Sequence, residues 1–294
     1  MSKSKILIQI DSDALASTFD SIVAIDAGID QLLPQSNVTV DQIESLVHGA
    51  IFTRGPADLK STALFFGGSD VAETESLVEA AKNCFFGPMS VSFLSDPNGC
   101  NTTAAAAVVS VEKHLKFDGQ TVTVLAGTGP VGQRIAQIIA GPATANAQSK
   151  PTIKVCSRKL DKAESICKTL SDKVDGNFVP TQTGNSTEAL AAIDGVQIVF
   201  SAGTAGVELL PADWVQMPNP PAIAVDLNAV PPAGIAGIEV MDSGTNRGDT
   251  ICYGAVGVGG LKMKIHKRAI SMLFESNDQT LDVEEIYAIG RELV

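Results

Sequence analysis

Histidine, cysteine and positive charge are all in short supply, and each shortage closes off a class of function. The three histidines, His48, His114 and His266, stand far apart in the chain, so they offer no imidazole cluster for a metal. The five cysteines, Cys84, Cys100, Cys156, Cys167 and Cys252, are odd in number and scattered. None pairs at the close spacing of a zinc site, and they read as free thiols of a reducing compartment. Acidic residues outnumber basic ones by 33 to 21, for a net charge of −12, so nucleic acid or an anionic membrane would meet a repelling mean field. Long apolar runs are missing too. Ala104 to Val109 is too short to span a bilayer. The run from Ile6 to Ile10 is ended by Asp11, well short of a signal peptide. A cytoplasmic protein is expected. There is also no GxSxG, HExxH or Walker loop to mark a hydrolase or a nucleotide triphosphatase.

What is present is an ordinary globular composition, 45% hydrophobic and 18% charged, in 294 residues, a length that suits two domains with a core each. The pattern opens with a strand (Lys5 to Ile10), a turn at Asp11-Ser12-Asp13, a helix from Ser17 to Ala27 and a polar loop containing Pro34 and Asn37. A helix from Val40 to His48 capped by Thr39, strands at Ala50 to Thr53 and Ala63 to Gly67, and a helix from Glu73 to Cys84 follow. A strand (Val91 to Leu94), the turn Ser95 to Gly99 and a helix from Thr102 to Leu115 end the first part.

At Asp118-Gly119 the character changes. Strands at Gln120 to Ala126, Ile153 to Cys156, Val196 to Ser201, Ala222 to Asp226 and Ile251 to Gly254 alternate with helical stretches, the signature of a parallel sheet wound on both faces. Gly141 to Pro151 reads as a loop insertion, and helices from Leu261 to Glu275 and Val283 to Leu293 close the chain. The fold class is therefore α/β. A Rossmann-type domain is expected over residues 118–269, and a second α/β domain over residues 1–117 completed by 270–294.

The strongest local signal is Gly127-Thr128-Gly129-Pro130-Val131-Gly132, a GxGxxG directly after one strand and directly before a helix. The first glycine permits the tight turn, the second lets backbone approach a pyrophosphate, and the third allows close helix packing, with helix amides facing the anion. The next strand ends Ser157-Arg158-Lys159, where an NAD enzyme would show a carboxylate for the ribose hydroxyls. A hydroxyl and two cations suit a 2′-phosphate instead, which favours NADP; a solvated basic turn is the alternative. Ala202-Gly203 and Asn228 follow two further strands and are expected to line the nicotinamide side, although a plain turn role suits Asn228 equally. The glycine-rich Gly254 to Gly260 suggests backbone packed against something flat, or a hinge. The histidines make a poor case for catalysis, which points to a hydride transfer without a proton shuttle.

These motifs sit within a wider pattern. Gln9-Ile10-Asp11-Ser12-Asp13 with Phe19-Asp20, Phe52-Thr53-Arg54-Gly55, Phe85-Phe86-Gly87-Pro88, Asp96-Pro97-Asn98-Gly99-Cys100-Asn101-Thr102-Thr103-Ala104, Leu125 to Gly132, Ser157 to Lys162 and Gly257-Val258-Gly259-Gly260-Leu261-Lys262 occur in that order. Together they resemble the bacterial NADP-dependent methylene-tetrahydromethanopterin dehydrogenases from end to end. The resemblance implies a pterin-binding domain built from the first part of the chain and its last helices, an NADP domain between, a tetrahydromethanopterin or tetrahydrofolate derivative as substrate, and a homo-oligomer. Hydride leaves the carbon between two nitrogens, and the resulting cation is shared by both, so no proton need move. Lys262 is the first candidate for an active-site side chain, with a surface lysine as the alternative. Asp20 is expected to accept from the pterin amino group, and Asn98, Asn101 and Thr102 to form a polar helix entrance beside it. Asp11, Asp13 and Arg54 are further candidate substrate contacts, for which an Asp turn and a salt bridge are equally natural. Competing readings are a methylene-tetrahydrofolate dehydrogenase with cyclohydrolase activity, for which Lys60 is the nearby lysine, a shikimate-type dehydrogenase, and a noncatalytic NADP sensor.

Overall fold

A computed structural model describes residues 3–294. The chain runs β1 (Ile6–Asp11), α1 (Thr18–Asp26), β2 (Gln31–Gln35), α2 (Val40–Phe52), β3 (Thr62–Gly67), α3 (Val71–Lys82), β4 (Ser92–Ser95) and α4 (Cys100–Glu112). It continues as β5 (Thr121–Leu125), α5 (Pro130–Ala140), β6 (Thr152–Ser157), α6 (Leu160–Lys173), β7 (Asn177–Gln182), α7 (Ser186–Ile193), β8 (Ile198–Ser201) and β9 (Ile223–Asp226). The last elements are β10 (Ser243–Arg247), β11 (Thr250–Tyr253), α8 (Ala255–Met272), β12 (Thr280–Leu281) and α9 (Val283–Glu292). No helix among the described residues is long and apolar enough to cross a membrane.

Two compact units result, one made of the residues up to Thr102 with Met263–Leu293, the other of Thr103–Lys262. The divisions fall inside α4 and α8, whereas the sequence pattern places them at 117/118 and 269/270. Patterning marks where an element type changes; packing can change partners partway along a helix.

The first unit is a five-stranded parallel sheet in the order β2-β1-β3-β4-β12. Alternation assigns its faces. Ile8 and Ile10 of β1 and Leu64 and Phe66 of β3 join Ile43, Val47, Ala50 and Ile51 of α2 and Leu77, Val78 and Ala81 of α3 in one core. Gln9 and Asp11 point the other way, as does Phe65, which stacks on His266 of α8. The expected strand at Ala50 to Thr53 is thus the last turn of α2. Positions 43, 47, 50 and 51 follow helical spacing onto one buried face, which a short apolar run read alone does not reveal. β2 runs through the segment expected to be a polar loop; it is an edge strand with three of its five residues exposed, so it carries no apolar alternation and tolerates Pro34.

The second unit is a seven-stranded sheet in the order β7-β6-β5-β8-β9-β11-β10, parallel except for the β10–β11 pair. Apart from the added edge strand this is the doubly wound Rossmann order. One face is filled by Leu125, Cys156, Val199, Ala224 and Cys252 from the strands, with Ala189, Ala192 and Ile193 of α7 and the fully buried Trp214 against them. The glycine run, read from sequence as backbone packed against something flat or as a hinge, lies mostly in a helix: α8 begins at Ala255, and two of the glycines have a local packing reason. A Cβ on Gly257 would lie 1.8 Å from the Asp242 carbonyl oxygen, and one on Gly254, just before the helix, 2.1 Å from that of Glu239.

Candidate functional site

In open α/β sheets ligands gather outside the carboxyl ends of the strands, where the strand order reverses. In the second unit that point lies between β5 and β8, and the GxGxxG loop leaves β5 there. Ala126 takes the left-handed conformation (φ 53°) to turn the chain into the loop, a strained state for a non-glycine residue. The three glycines separate by cause. A Cβ on Gly132 would lie 2.7 Å from the Gly127 Cα, and one on Gly127 2.8 Å from the Val124 carbonyl oxygen, so both are demanded by the protein's own packing. A Cβ on Gly129 would meet only the Ala126 and Ala202 carbonyl oxygens at 3.5 and 3.8 Å, which is ordinary contact. Nothing in the fold requires glycine at 129, and close approach of a ligand would. Gly129 is also the N-cap of α5, with no side-chain cap; Pro130 opens the helix, and the Gln133 amide donates to the Thr128 carbonyl (2.9 Å) to brace the loop. The first-turn amides of α5, including that of Val131, carry the helix's partial positive charge.

Beside this loop, β6 ends in the buried Ser157, followed by the exposed cations Arg158 and Lys159. Lys159 is the N-cap of α6 and likewise supplies no side-chain cap. A second uncapped helix start and two cations therefore stand at the position that sorts the two nicotinamide nucleotides. The residues present fit a dinucleotide carrying a 2′-phosphate.

At the end of β8, the Ala202 amide donates to the Leu125 carbonyl (3.1 Å), and a Cβ on Gly203 would press on the flexible Leu209 side chain at 2.6 Å. At the end of β9, Asp226 is buried and accepts from the amides of Gly234 (2.7 Å), Ile235 (3.2 Å) and Asn228 (3.2 Å). Burial nonetheless pushes its carboxyl above the ordinary range, against the lowering effect of those amides. Asn228 is engaged on its own loop: its carbonyl oxygen accepts from Gly206 and Val230, and its amide donates to Pro232 (2.9 Å). The plain turn role is the one its contacts describe. Asp226, Asn228, Val230 and Glu239 line a cavity of about 290 Å³ beside these strand ends. Asp226 was not singled out from sequence, because an aspartate after a strand also reads as an ordinary turn.

In the first unit the strand order reverses between β1 and β3, which pair in register to their ends, Asp11 opposite Gly67. Asp11 is fully buried and accepts from the amides of Asp13 (2.9 Å) and Ser17 (3.0 Å). The carboxylate of Asp13 takes the amide and hydroxyl of Ser69 (3.0 and 2.7 Å), tying together the loops after β1 and β3. These two aspartates build the crevice rather than line it. Asp20, in the first turn of α1, reaches over the strand ends: a Cβ on Gly67 would lie 3.5 Å from an Asp11 oxygen and 3.8 Å from an Asp20 oxygen. The Asp20 carboxylate also stands 4.0 Å from Nε2 of His266. Exposed Asn98, held at φ 52° by its amide's bond to the Gly68 carbonyl (2.7 Å), sits at the same end of the sheet.

Three other expected contacts are corrected. Asn101 and Thr102 are fully enclosed. The Asn101 amide group donates to the Ser95 carbonyl (2.7 Å) and Asp282 (3.0 Å), and the Thr102 hydroxyl donates to Asp96 (2.6 Å), whose carboxylate also takes both their backbone amides. Their polarity serves the start of α4. Arg54 donates to the carbonyls of Ser4 (3.0 Å) and Ser61 (2.7 Å), just before β1 and β3, so it lies at the opposite end of the sheet from the crevice. Lys262 is half-buried in the second turn of α8, four residues before His266 and hence on the same helix face.

The fold is shared with solved enzymes of low sequence identity: a Listeria monocytogenes shikimate 5-dehydrogenase in complex with shikimate and NAD (13% identity, TM-score 0.52, covering 97% of this chain and 96% of that one) and an Entamoeba histolytica malic enzyme (12%, TM-score 0.51, covering 98% and 75%). Residues 18–98 match the family described as methylene-tetrahydromethanopterin dehydrogenase, N-terminal. Along its whole length the chain is 42% identical to the full-length bifunctional protein MdtA of Methylorubrum extorquens. It is 33% identical to that organism's NAD(P)-dependent methylenetetrahydromethanopterin dehydrogenase, over 94% of both chains. An identity of this size over the whole length, joined to a glycine-loop Rossmann unit and a second α/β unit with its own strand-end crevice, means that the chain belongs to the methylene-tetrahydromethanopterin dehydrogenase family.

Proposed function

We propose that this protein oxidises methylene-tetrahydromethanopterin reversibly to the methenyl form by direct hydride transfer to NADP, with methylene-tetrahydrofolate as a second substrate, in cytoplasmic one-carbon (formaldehyde) metabolism. The observation that carries the reading is the nucleotide corner: a glycine at 129 that the fold itself does not need, beside Arg158 and Lys159 where an NAD enzyme would hold a carboxylate. Bound NADP supplies the hydride acceptor. Gly127, Thr128, Gly129, Pro130 and Val131 receive its pyrophosphate on the α5 N-terminus, and Ser157, Arg158 and Lys159 take the 2′-phosphate. Ala202, Gly203 and the loop anchored on Asp226 and Asn228 shape the nicotinamide side.

In the first unit Asp20 and Asn98 are the side chains offered to the pterin, and Lys262 is the candidate active-site cation. The chemistry asks for two rings held at near-attack distance in a dry cleft and for no general acid or base, which suits a crevice whose buried carboxylates are mostly committed to amides. The cyclohydrolase alternative rested on Lys60. That residue is exposed and precedes β3, at the end of the sheet away from the crevice, which does not favour it. A homo-oligomer belongs to the same proposal. Phe19, Ile22 and Ile25 of α1 are exposed apolar side chains at helical spacing, of a kind that monomers seldom leave bare together; light scattering of the purified protein would read its mass. The activity is tested by NADP reduction with each methylene-pterin, with NAD as the control nucleotide. Tight NADP binding without turnover on either pterin would leave a noncatalytic NADP-binding protein.

A further inference from the structure

We propose that Lys162 is a third cation of the 2′-phosphate site and a determinant of the preference for NADP over NAD. The proposal rests on the functional reading above, which places that phosphate at the end of β6, and deepens it by assigning a residue beyond Arg158 and Lys159. The chain carries 33 acidic and 21 basic residues, so an anionic ligand meets a repelling mean field and needs local cations that are not already neutralised. Elsewhere many cations are engaged. Lys150 pairs with Asp175, Arg247 with Asp242, Lys267 with Asp26 and Arg268 with Glu275, while Arg54 and Lys154 donate to carbonyls. Arg158, Lys159 and Lys162 are different. All three are exposed within one short segment, and among the described residues none has a carboxylate within ion-pair distance or a hydrogen bond from its side-chain head.

Their placement is unfavourable in the absence of an anion. Lys159 is the N-cap of α6 and Lys162 the third residue of that helix, a spacing that puts them on one helix face. Both stand at the positive end of the helix dipole, where cations are disfavoured, and like charges at this spacing repel. A helical side chain leans toward the N-terminus, so Lys162 covers the turn before it. The local acids do not pair with these cations. Asp161 accepts from the Lys162 backbone amide (2.9 Å), and Glu188, at the neighbouring turn between β7 and α7, accepts from the Gly184 amide (2.6 Å). Glu164 is two residues beyond Lys162 and does not face it. The β7–α7 turn is fastened to the end of β6 by the Thr183 amide, which donates to the Ser157 carbonyl (2.8 Å), and a Cβ on Gly184 would stand 3.3 Å from the Arg158 carbonyl oxygen. Ser157 is buried at the same strand end, its hydroxyl accepting from the Lys159 amide (3.4 Å). Three mutually repelling cations at an uncapped helix start, with the nearby carboxylates turned to amides, fit a doubly charged phosphate. The 2′-phosphate of NADP is such a group, and the ribose hydroxyl of NAD is not.

The experiment measures binding to the full-length protein by calorimetry. Adenosine 2′,5′-bisphosphate and 5′-AMP are the probes, because they differ only in the 2′-phosphate, and NADP and NAD are titrated alongside. Lys162→Ala is expected to weaken the bisphosphate and NADP about 5- to 10-fold, the scale of one charge-assisted contact at an open surface, with 5′-AMP and NAD unchanged. Lys162→Arg keeps the charge and should hold most of the affinity. Lys162→Glu should lose more than the alanine variant, since it adds repulsion to the lost contact. The gap between wild type and Lys162→Ala should narrow as salt is raised. Lys168→Ala is the control for net charge: it removes a cation from the same helix about 9 Å further from its start and should leave every affinity unchanged. Thermal melts check folding, which a substitution at an exposed site leaves intact. A Lys162→Ala protein that binds the bisphosphate like wild type, an equal loss on 5′-AMP, or a loss matched by Lys168→Ala would overturn the proposal. A wild type that binds the bisphosphate no better than 5′-AMP would sink the NADP reading together with this inference. Clear discrimination between the probes, lost in Lys162→Ala, in a protein that turns over neither pterin would sink the proposed activity and leave the inference standing.

Discussion

Replacing Gly129 with alanine separates what the nucleotide loop does for the fold from what it does for a ligand. The added methyl would sit 3.5 Å from the Ala126 carbonyl oxygen and 3.8 Å from that of Ala202, and the backbone at 129 (φ −78°, ψ 168°) is open to alanine. An alanine N-cap costs about 0.5–1 kcal/mol relative to glycine, and the unfolded chain loses entropy worth about 0.4–1 kcal/mol in the opposite sense. The net change in stability should therefore stay within about 1 kcal/mol, a melting shift of a few degrees at most. The ligand side is different. A methyl group standing where the pyrophosphate approaches would break at least one charge-assisted amide contact, worth about 1.5–3 kcal/mol, or about 10- to 100-fold in NADP affinity. Gly132→Ala is the control: its methyl meets the Gly127 Cα at 2.7 Å, backbone against backbone, so overpacking of about 1–3 kcal/mol should lower stability and binding together. Calorimetric NADP titration alongside thermal melts reads both. A Gly129→Ala protein that binds NADP like the wild type would refute the placement of the pyrophosphate on this loop.

Three further outcomes follow from other parts of the molecule. Substituting Arg158 and Lys159 together by alanine should raise KM for NADP by about 10- to 100-fold while leaving KM for NAD nearly unchanged, the signature of a lost 2′-phosphate contact; equal losses with both nucleotides would contradict it. Thr102→Val removes a buried hydroxyl from Asp96 and should cost about 1–3 kcal/mol of stability by urea titration without altering KM for the pterin, whereas a KM effect at full stability would return Thr102 to the substrate site. Burial pushes the thiols of Cys156 and Cys252 up to about 12, against 9.0 for an exposed thiol. The folded state thus holds protons that the unfolded chain releases above about pH 9, and stability should fall from there toward pH 12 by about 1.4 kcal/mol per pH unit for each thiol. Cys156→Ala with Cys252→Ala should flatten that slope in urea titrations at alkaline pH, and an unchanged slope would assign the loss to other groups.

The nucleotide unit was legible in sequence because its signals are local: a strand, three glycines at fixed offsets and a helix, then a second strand ending in cations. The pterin-side unit was less so. Asp11, Asp13, Asn101 and Thr102 are polar residues near strand ends, and sequence cannot tell a group that faces a ligand from one that satisfies a neighbouring amide; here most of them do the latter. Arg54 was misread for a related reason, since its position along β3's approach fixes it to the far end of the sheet, a fact that only strand direction reveals. Sequence gives His266 no more weight than the other histidines, yet helical spacing turns it inward against Phe65 while Lys264, Lys267 and Arg268 lie on other faces. The glycines at the start of α8 suggested a flat neighbour or a hinge, and for Gly254 and Gly257 the close neighbours are the carbonyls of Glu239 and Asp242, 15 residues earlier in the chain.

The most direct test of the central claim is the initial rate of NADP reduction by the purified protein, with methylene-tetrahydromethanopterin and methylene-tetrahydrofolate supplied separately and NAD run in parallel. The account predicts turnover with NADP and the methanopterin substrate, slower turnover with NAD, and loss of that nucleotide preference when Arg158 and Lys159 are removed. Saturable NADP binding with no turnover on either pterin would contradict it.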